Sequence, residues 1–100
     1  MKKNIFDQYV SEVCKTYDID IKELFAKTKQ NDITEARQML YYLCHNRRIK
    51  NVEIARYVNE YGLSVSAPNV SYSINKMLDI VRDDEDYGHV ISKINSCVTP

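Results

Sequence analysis

Residues 51–82 read NVEIARYVNEYGLSVSAPNVSYSINKMLDIVR, and this stretch decides the fold. Apolar residues recur at helical spacing on both sides of Gly62, which predicts two amphipathic helices joined by a tight turn. Gly62 tolerates a positive φ at the end of the first helix, while Ser66 is a predicted N-cap and Pro68 falls in the first turn of the second. The predicted inward residues are Val52, Ile54, Ala55 and Val58 in the first helix and Val70, Ile74, Met77, Leu78 and Val81 in the second.

The second of these helices also carries a polar arc, which we define as Asn69, Tyr72, Ser73 and Lys76. These residues lie opposite the apolar stripe on a helical wheel, with Ser73 at the border. Amide, phenol, hydroxyl and ammonium groups on one exposed arc are what a helix in the DNA major groove needs. A plain helical hairpin in a small all-α domain, with a solvated polar face, fits this stretch equally well.

The sequence before this stretch predicts three more helices. An apolar stripe at i, i+4 spacing predicts the first over about residues 4–17. Asp20 with Glu23 three residues later forms a capping-box pattern and predicts a short second helix. Residues 27–32 contain no apolar side chain, so they are predicted to form a loop.

The third helix is predicted to begin with Thr34 as its cap. Arg37 and Gln38 lie in its first turns and are expected to be exposed. The predicted inward residues of this helix are Ala36, Met39, Leu40, Leu43 and Cys44.

The end of the chain predicts a last helix behind an acidic run. Residues 83–86 read DDED and lack the alternating ligand spacing of a calcium loop, so a solvated helix junction is expected there. Spaced apolar residues within 87–98 predict an amphipathic helix, followed by a frayed tail at Thr99 and Pro100. The prediction is six helices in one compact all-α domain over residues 1–100.

Composition argues against several classes of protein. No segment approaches the roughly 20 apolar residues of a membrane span, and the basic N-terminus is not followed by the apolar region of a signal peptide. Cys14, Cys44 and Cys97 are odd in number and form no C-x-x-C, so we expect free thiols in a reducing cytoplasmic compartment and no metal site. Gly62 and Gly88 are isolated, so no Gly-rich phosphate loop exists and no nucleotide or other cofactor is expected.

The net charge is zero, but the charges are unevenly distributed. Residues 1–50 carry ten Lys or Arg against seven Asp or Glu, whereas residues 51–100 carry four against seven. A protein that is neutral overall can still bind a polyanion through one face. Arg47, Arg48 and Lys50 form a basic corner that is either solvated or in contact with phosphates, and residues 83–86 are expected to mark the opposite face.

The order and content of these elements resemble the C-terminal DNA-binding domain of the bacterial replication initiator DnaA. Residues 21–27, IKELFAK, are similar to the family's V-x-D-L-L-S-K, and residues 33–43, ITEARQMLYYL, to its V-A-R-P-R-Q-x-A-M-Y-L helix. Residues 52–55, VEIA, are similar to its L-P-E-I-G, and residues 70–77 fall on its recognition helix, with Lys76 in place of a late lysine. The resemblance implies an all-α bundle with a helix-turn-helix, like that of the Trp repressor.

The resemblance also implies a DNA-binding site. In that family a basic loop enters the minor groove, which by position implies Lys27 and Lys29, and an R-Q pair contacts backbone and base edges, which implies Arg37 and Gln38. The family's D-H-T-T signature is replaced here by residues 66–69, SAPN, after a turn that is about four residues longer. The expected DNA contacts are Lys27, Lys29, Arg37, Gln38, Arg47, Arg48, Ser66, Asn69, Tyr72, Ser73 and Lys76.

Two functions from different classes therefore stand against each other. The first is double-stranded DNA binding in replication initiation or transcription control, by a diverged relative that lacks the initiator's ATPase module. The alternative is a protein-interaction module that keeps the fold and binds a replication or regulatory protein, which the zero net charge and the missing D-H-T-T favour. An enzyme is not expected, because no nucleophile, base or metal pattern is present, and His45 and His89 belong to none.

Overall fold

Six α-helices make up the computed structural model, which describes residues 2–99 and leaves Met1 and Pro100 outside the described part. They are α1 (Lys2–Tyr17), α2 (Ile21–Leu24), α3 (Asn31–Asn46), α4 (Asn51–Glu60), α5 (Ala67–Asp83) and α6 (Glu85–Ser96). No strand occurs between residues 2 and 99. The predicted all-α bundle of six helices is confirmed.

The core is built around α3, which packs most extensively against α5 and α1. All five predicted inward residues of α3 are buried, and they meet Val70, Ile74 and Met77 of α5 in one hydrophobic cluster. Burying such apolar side chains is the main driving force for folding. It also fixes which side of α5 faces solvent, because the buried stripe and the polar arc lie on opposite sides of that helix.

The capping box is confirmed at the start of α2. The Asp20 carboxylate accepts the Glu23 backbone N–H at 2.7 Å, and the Glu23 carboxylate accepts the Asp20 backbone N–H at 3.1 Å. These two bonds satisfy backbone donors that a helix start leaves without partners. They explain why a four-residue helix is stable enough to form between α1 and the next loop.

The predicted cap at Thr34 is wrong, because α3 begins earlier, at Asn31. Thr34 already lies inside the helix, where its backbone N–H donates to the Gln30 carbonyl oxygen at 2.9 Å. The earlier start carries Ile33 into the protein interior, where it is only 3% exposed. Asp32 in the first turn also places a negative charge where the helix dipole favours one.

Two residues predicted to face inward are exposed instead. Val52 is 63% exposed because it lies in the first turn of α4, and Tyr57 takes a buried position on that helix. Leu78 of α5 is 45% exposed, since it lies about 100° around the helix from Met77 and falls outside the buried stripe. The apolar patterns of α4 and α5 therefore predict the helices correctly but overestimate the width of their buried faces.

The junction before α6 is solvated, as predicted. Residues 83–86 are all exposed, and the Asp84 carboxylate accepts the Asp86 backbone N–H at 3.0 Å and so caps α6. The tail is not frayed at Thr99, because the Gln8 side chain donates to its carbonyl oxygen at 2.7 Å and accepts its backbone N–H at 2.9 Å. The part of the predicted tail at Pro100 lies outside the described residues.

One carboxylate joins three helices. Glu35 of α3 accepts a hydrogen bond from the Tyr17 hydroxyl of α1 at 2.9 Å and another from the Tyr87 hydroxyl of α6 at 3.0 Å. Burial, together with the bond to this carboxylate, raises the pKa of both phenols above the ordinary value, so both stay protonated donors. This junction is one of the contacts that attach α6 to the rest of the bundle, beside the buried Ile94 and the bond from Tyr9 to Asn95.

Candidate nucleic-acid interface

The polar arc of α5 lies on the surface. Asn69, Tyr72 and Lys76 are exposed, and Ser73 is half-buried at the border, as the helical wheel predicts. The Tyr72 side chain is 62% exposed, so its ring is available for contact with a partner. The Lys76 ammonium lies 5.5 Å from the centre of that ring, so a cation–π contact orients the two side chains together.

The start of α5 is fixed by local bonds. Ser66 has an extended backbone, and its hydroxyl oxygen accepts the Asn69 backbone N–H at 3.4 Å, which confirms the predicted N-cap. Pro68 lies in the first turn, where its missing N–H costs nothing. Asn69, the first residue of the polar arc, therefore lies in the first turn of α5, three residues after its N-cap Ser66.

The α4–α5 turn, residues 61–66, is held in one conformation by two features. Gly62 has a φ of 104°, as the sequence predicts for the end of α4. The Asn59 side-chain oxygen accepts the Val65 backbone N–H at 2.9 Å, and so ties the turn back to α4. Asn59 was not predicted as a structural residue, because nothing in its position on α4 indicates a bond across six residues.

The basic loop, residues 25–30, lies beside this turn. Lys27 and Lys29 are exposed and Thr28 between them is half-buried. A shallow depression of about 310 Å³ connects the loop to the turn, with Leu63 and Val65 on its far side. The structure thus brings the two predicted loop lysines next to the segment that leads into α5.

Arg37 faces this loop rather than solvent, so its predicted exposure is wrong. It is half-buried, and its Nη1 donates to the carbonyl oxygens of Leu24 at 2.8 Å and Ala26 at 2.9 Å. Its Nη2 donates to the Thr28 carbonyl oxygen at 2.7 Å. Gln38, the other member of the R-Q pair, was also expected to be exposed and is half-buried.

Arg47 and Arg48 follow the C-terminal end of α3, and Arg47 lies ten residues, or about 15 Å along the helix, beyond Arg37, which bonds the basic loop. The Arg47 guanidinium packs over the Tyr9 ring at 5.8 Å and donates to the Val98 carbonyl oxygen at 3.2 Å. Arg48 is exposed, with a φ of 65°, beside Lys50 and the start of α4. The predicted cations that precede α4 therefore form two groups, one beside the α4–α5 turn and one beside the start of α4.

The cysteines are free thiols in the structure. Cys14 and Cys44 are buried and Cys97 is exposed. Burial raises the pKa of the Cys14 and Cys44 thiols, which keeps both protonated and unreactive. Among residues 2–99, no group of three or more His, Cys, Asp or Glu side chains is placed to hold a metal ion.

Most of the helices described above fall within a known protein family. Residues 6–76, more than two thirds of the chain, match the helix-turn-helix family of the bacterial DnaA protein. The chain belongs to this family. The match begins within α1, at residue 6, and covers α2 to α4 and the part of α5 that carries the polar arc, whereas α6 lies beyond it.

Membership of the DnaA helix-turn-helix family confirms the predicted resemblance and implies binding to double-stranded DNA. No curated protein and no solved structure matches the chain significantly. Between Lys2 and Thr99, no helix is long and apolar enough to cross a membrane.

Proposed function

We propose that this domain binds double-stranded DNA with the start of α5 in the major groove and the basic loop at the neighbouring minor groove. The observation that carries the proposal is the position of Lys27 and Lys29 beside the α4–α5 turn. A cationic loop next to the start of an exposed polar helix lets one protein face contact two grooves. We further propose that the domain acts without catalysis, in replication initiation or transcription control.

The polar arc is proposed to read bases. Asn69 and Lys76 are seven positions apart, or about 10 Å along the helix, which corresponds to about three base-pair steps. The Asn69 amide suits bidentate pairing with adenine, and the Tyr72 ring suits contact with a thymine methyl group. The Lys76 ammonium, oriented by the Tyr72 ring, suits the acceptors of guanine. Because residues 66–69, SAPN, replace D-H-T-T with no identical residue, the preferred sequence is expected to differ from that of the initiator.

The remaining predicted contacts are proposed to hold the DNA backbone. Arg48 lies at the start of α4, where helix N–H groups and a guanidinium can face the same phosphate. Gln38, Ser66 and Ser73 carry neutral donors of the kind that bond phosphate oxygens. A phosphate contact by Arg47 stays a prediction, since its guanidinium has donors beyond the one that Val98 accepts.

Fluorescence anisotropy with random-sequence duplexes, measured across a salt series, tests the proposal. The logarithm of the association constant should fall linearly with the logarithm of the salt concentration. Replacing Lys27 and Lys29 together by Ala should reduce the magnitude of that slope by about 1.8, because two phosphate contacts are lost.

The matched control removes two other exposed lysines, Lys15 and Lys93, which lie beside the groove between α1 and α6. This control should leave both slope and affinity nearly unchanged. Absence of binding at low salt, or an affinity that does not depend on salt, would reject DNA binding by this face.

The alternative function, binding of a replication protein, is supported by the zero net charge and by the replacement of D-H-T-T, and exposed apolar side chains of the helix-turn-helix are where we test it. Val52 and Leu78 present apolar surface that the fold itself does not use. If a replication protein binds there, a partner recovered from nuclease-treated extract should be lost with Val52→Asp, whereas DNA binding through Lys27 and Lys29 should persist. Retention of the partner by Val52→Asp would exclude this surface.

A further inference from the structure

Arg37 is the residue of the interface whose geometry differs most from its predicted role. Its guanidinium donates to three carbonyl oxygens, those of Leu24, Ala26 and Thr28, over distances of 2.7 to 2.9 Å. Both N–H groups of Nη1 are used, and one of Nη2. A side chain expected to face phosphate therefore uses most of its donors on the end of α2 and the basic loop.

The loop needs these donors for a physical reason. It follows a helix of only four residues and precedes α3, so its carbonyl groups have no helix or sheet partners of their own along most of its length. One planar guanidinium bonds two of them, those of Ala26 and Thr28, together with the Leu24 carbonyl at the end of α2, which a lysine ammonium cannot do with the same fixed geometry. The bonds also determine which way the loop faces, with Thr28 turned inward and Lys27 and Lys29 outward.

We propose that Arg37 is a positioning residue for DNA binding, which holds the basic loop so that Lys27 and Lys29 project beside the α4–α5 turn. In this role Arg37 acts through its hydrogen bonds to backbone carbonyls and not through an ionic contact with a DNA phosphate. The inference rests on the proposed function, since it concerns how the two loop lysines reach DNA.

Two roles for Arg37, direct contact with phosphate and positioning of the loop, predict different DNA affinities for the Arg37→Lys variant. If the role were a charge facing phosphate, Arg37→Lys would keep the charge and most of the affinity. If the role is to bond the loop carbonyls through the planar array of guanidinium donors, Arg37→Lys loses the loop geometry. It should then weaken DNA binding as much as Arg37→Gln does. Retention of wild-type affinity by Arg37→Lys would overturn the inference.

A double-mutant cycle with Lys27 gives the second readout. Lys27→Ala should weaken binding of the wild-type protein by about threefold to tenfold, as expected for one phosphate contact. In the Arg37→Lys background the same change should cost less than about twofold, because the loop is already misplaced. Lys76→Ala is the matched control, and should cost the same factor in both backgrounds because α5 does not depend on the loop bonds.

The outcomes separate the inference from the function on which it rests. Wild-type protein that fails to bind DNA rejects both. Wild-type binding with an additive Arg37–Lys27 cycle rejects the positioning role alone. Thermal unfolding confirms that each variant is folded. If both Arg37 variants unfold, Thr28→Gly takes their place, since it loosens the loop without altering the guanidinium and should show the same coupling with Lys27.

Discussion

The Tyr41 hydroxyl is a buried polar group without a hydrogen-bond partner among the described residues. The side chain is only 3% exposed, so the hydroxyl has lost water without gaining a replacement. Tyr41→Phe removes this group and keeps the ring, and should raise the free energy of unfolding by about 1 kcal/mol. Equilibrium unfolding in urea measures the change.

Tyr9→Phe is the matched control for this prediction, because the Tyr9 hydroxyl donates to the Asn95 side-chain oxygen. The same chemical change there should lower the free energy of unfolding by about 1 kcal/mol. Destabilisation by Tyr41→Phe would show that an ordered water satisfies the hydroxyl.

The same residue predicts a loss of stability in alkali. Burial, the largest cause, raises the pKa of Tyr41 from 10.0 to about 12. Between these values the folded state holds a proton that the unfolded state has released, so the contribution to stability is complete below pH 10 and is lost as the pH rises toward 12. Urea unfolding at several pH values should therefore show a steeper alkaline decline for wild type than for Tyr41→Phe. Equal slopes would contradict the prediction.

Residue-scale features could be predicted where they depend on near neighbours in sequence. The Asp20–Glu23 capping box joins residues three apart, and the geometry of a helix start determines its bonds. The positioning role of Arg37 could not be predicted in this way. Its partners are backbone carbonyls 9 to 13 residues away, and their positions depend on the path of an irregular loop.

At the scale of helices, Glu35 is predicted to control how firmly α6 is attached. Its carboxylate accepts hydrogen bonds from Tyr17 of α1 and Tyr87 of α6. Glu35→Ala leaves both half-buried phenols without this acceptor and should lower the free energy of unfolding by about 2 kcal/mol. Amide hydrogen exchange should become faster in α6 before it does in α3.

Glu12→Ala is the control for Glu35→Ala. Glu12 forms only an ion pair with the exposed Lys15, at 3.5 Å, and such pairs contribute less than about 1 kcal/mol. Its removal should leave exchange in α6 almost unchanged. Equal acceleration across all helices in Glu35→Ala would show that the junction stabilises the whole fold and not the attachment of one helix.

The helices themselves could be predicted from periodicity, because an apolar stripe is a local property of the sequence. The width of the buried face of each helix could not be predicted from periodicity, as the exposed Val52 and Leu78 show. Leu78 follows the buried Met77 and Val52 lies two residues before the buried Ile54, and only the position of the neighbouring helices decides which of these side chains are covered. The start of α3 was missed for a related reason, since burial of Ile33 outweighs the capping preference of Thr34.

At the scale of the whole molecule, the candidate interface depends on segments that are far apart in sequence. The basic loop meets Leu63 and Val65 across more than 30 residues, and packing of α3 against α5 brings them together. The family resemblance predicted that the basic loop and α5 act together, whereas the residue charges alone did not predict this. The charges suggested a single cationic face, but the structure separates Arg47 and Arg48 from the loop along α3.

The acidic run, residues 83–86, should weaken DNA binding only when salt is low. Asp83 ends α5, about 21 Å along the helix from Asn69. At about 0.15 M salt the Debye length is about 8 Å, so the acidic run is screened from most of the interface. At about 0.01 M it is about 30 Å, comparable to the molecular dimensions of 32 × 30 × 24 Å.

Replacing Asp83 and Asp86 by Asn and Glu85 by Gln tests this, with Asp84 kept because it caps α6. Affinity for DNA should rise by about threefold or more at the lower salt concentration and by less than about twofold at the higher one. Anisotropy titrations at both concentrations measure the difference. An equal gain at both would place the acidic run against the DNA itself, because only groups in direct contact escape screening, and the bound DNA would then extend along α5 beyond the polar arc.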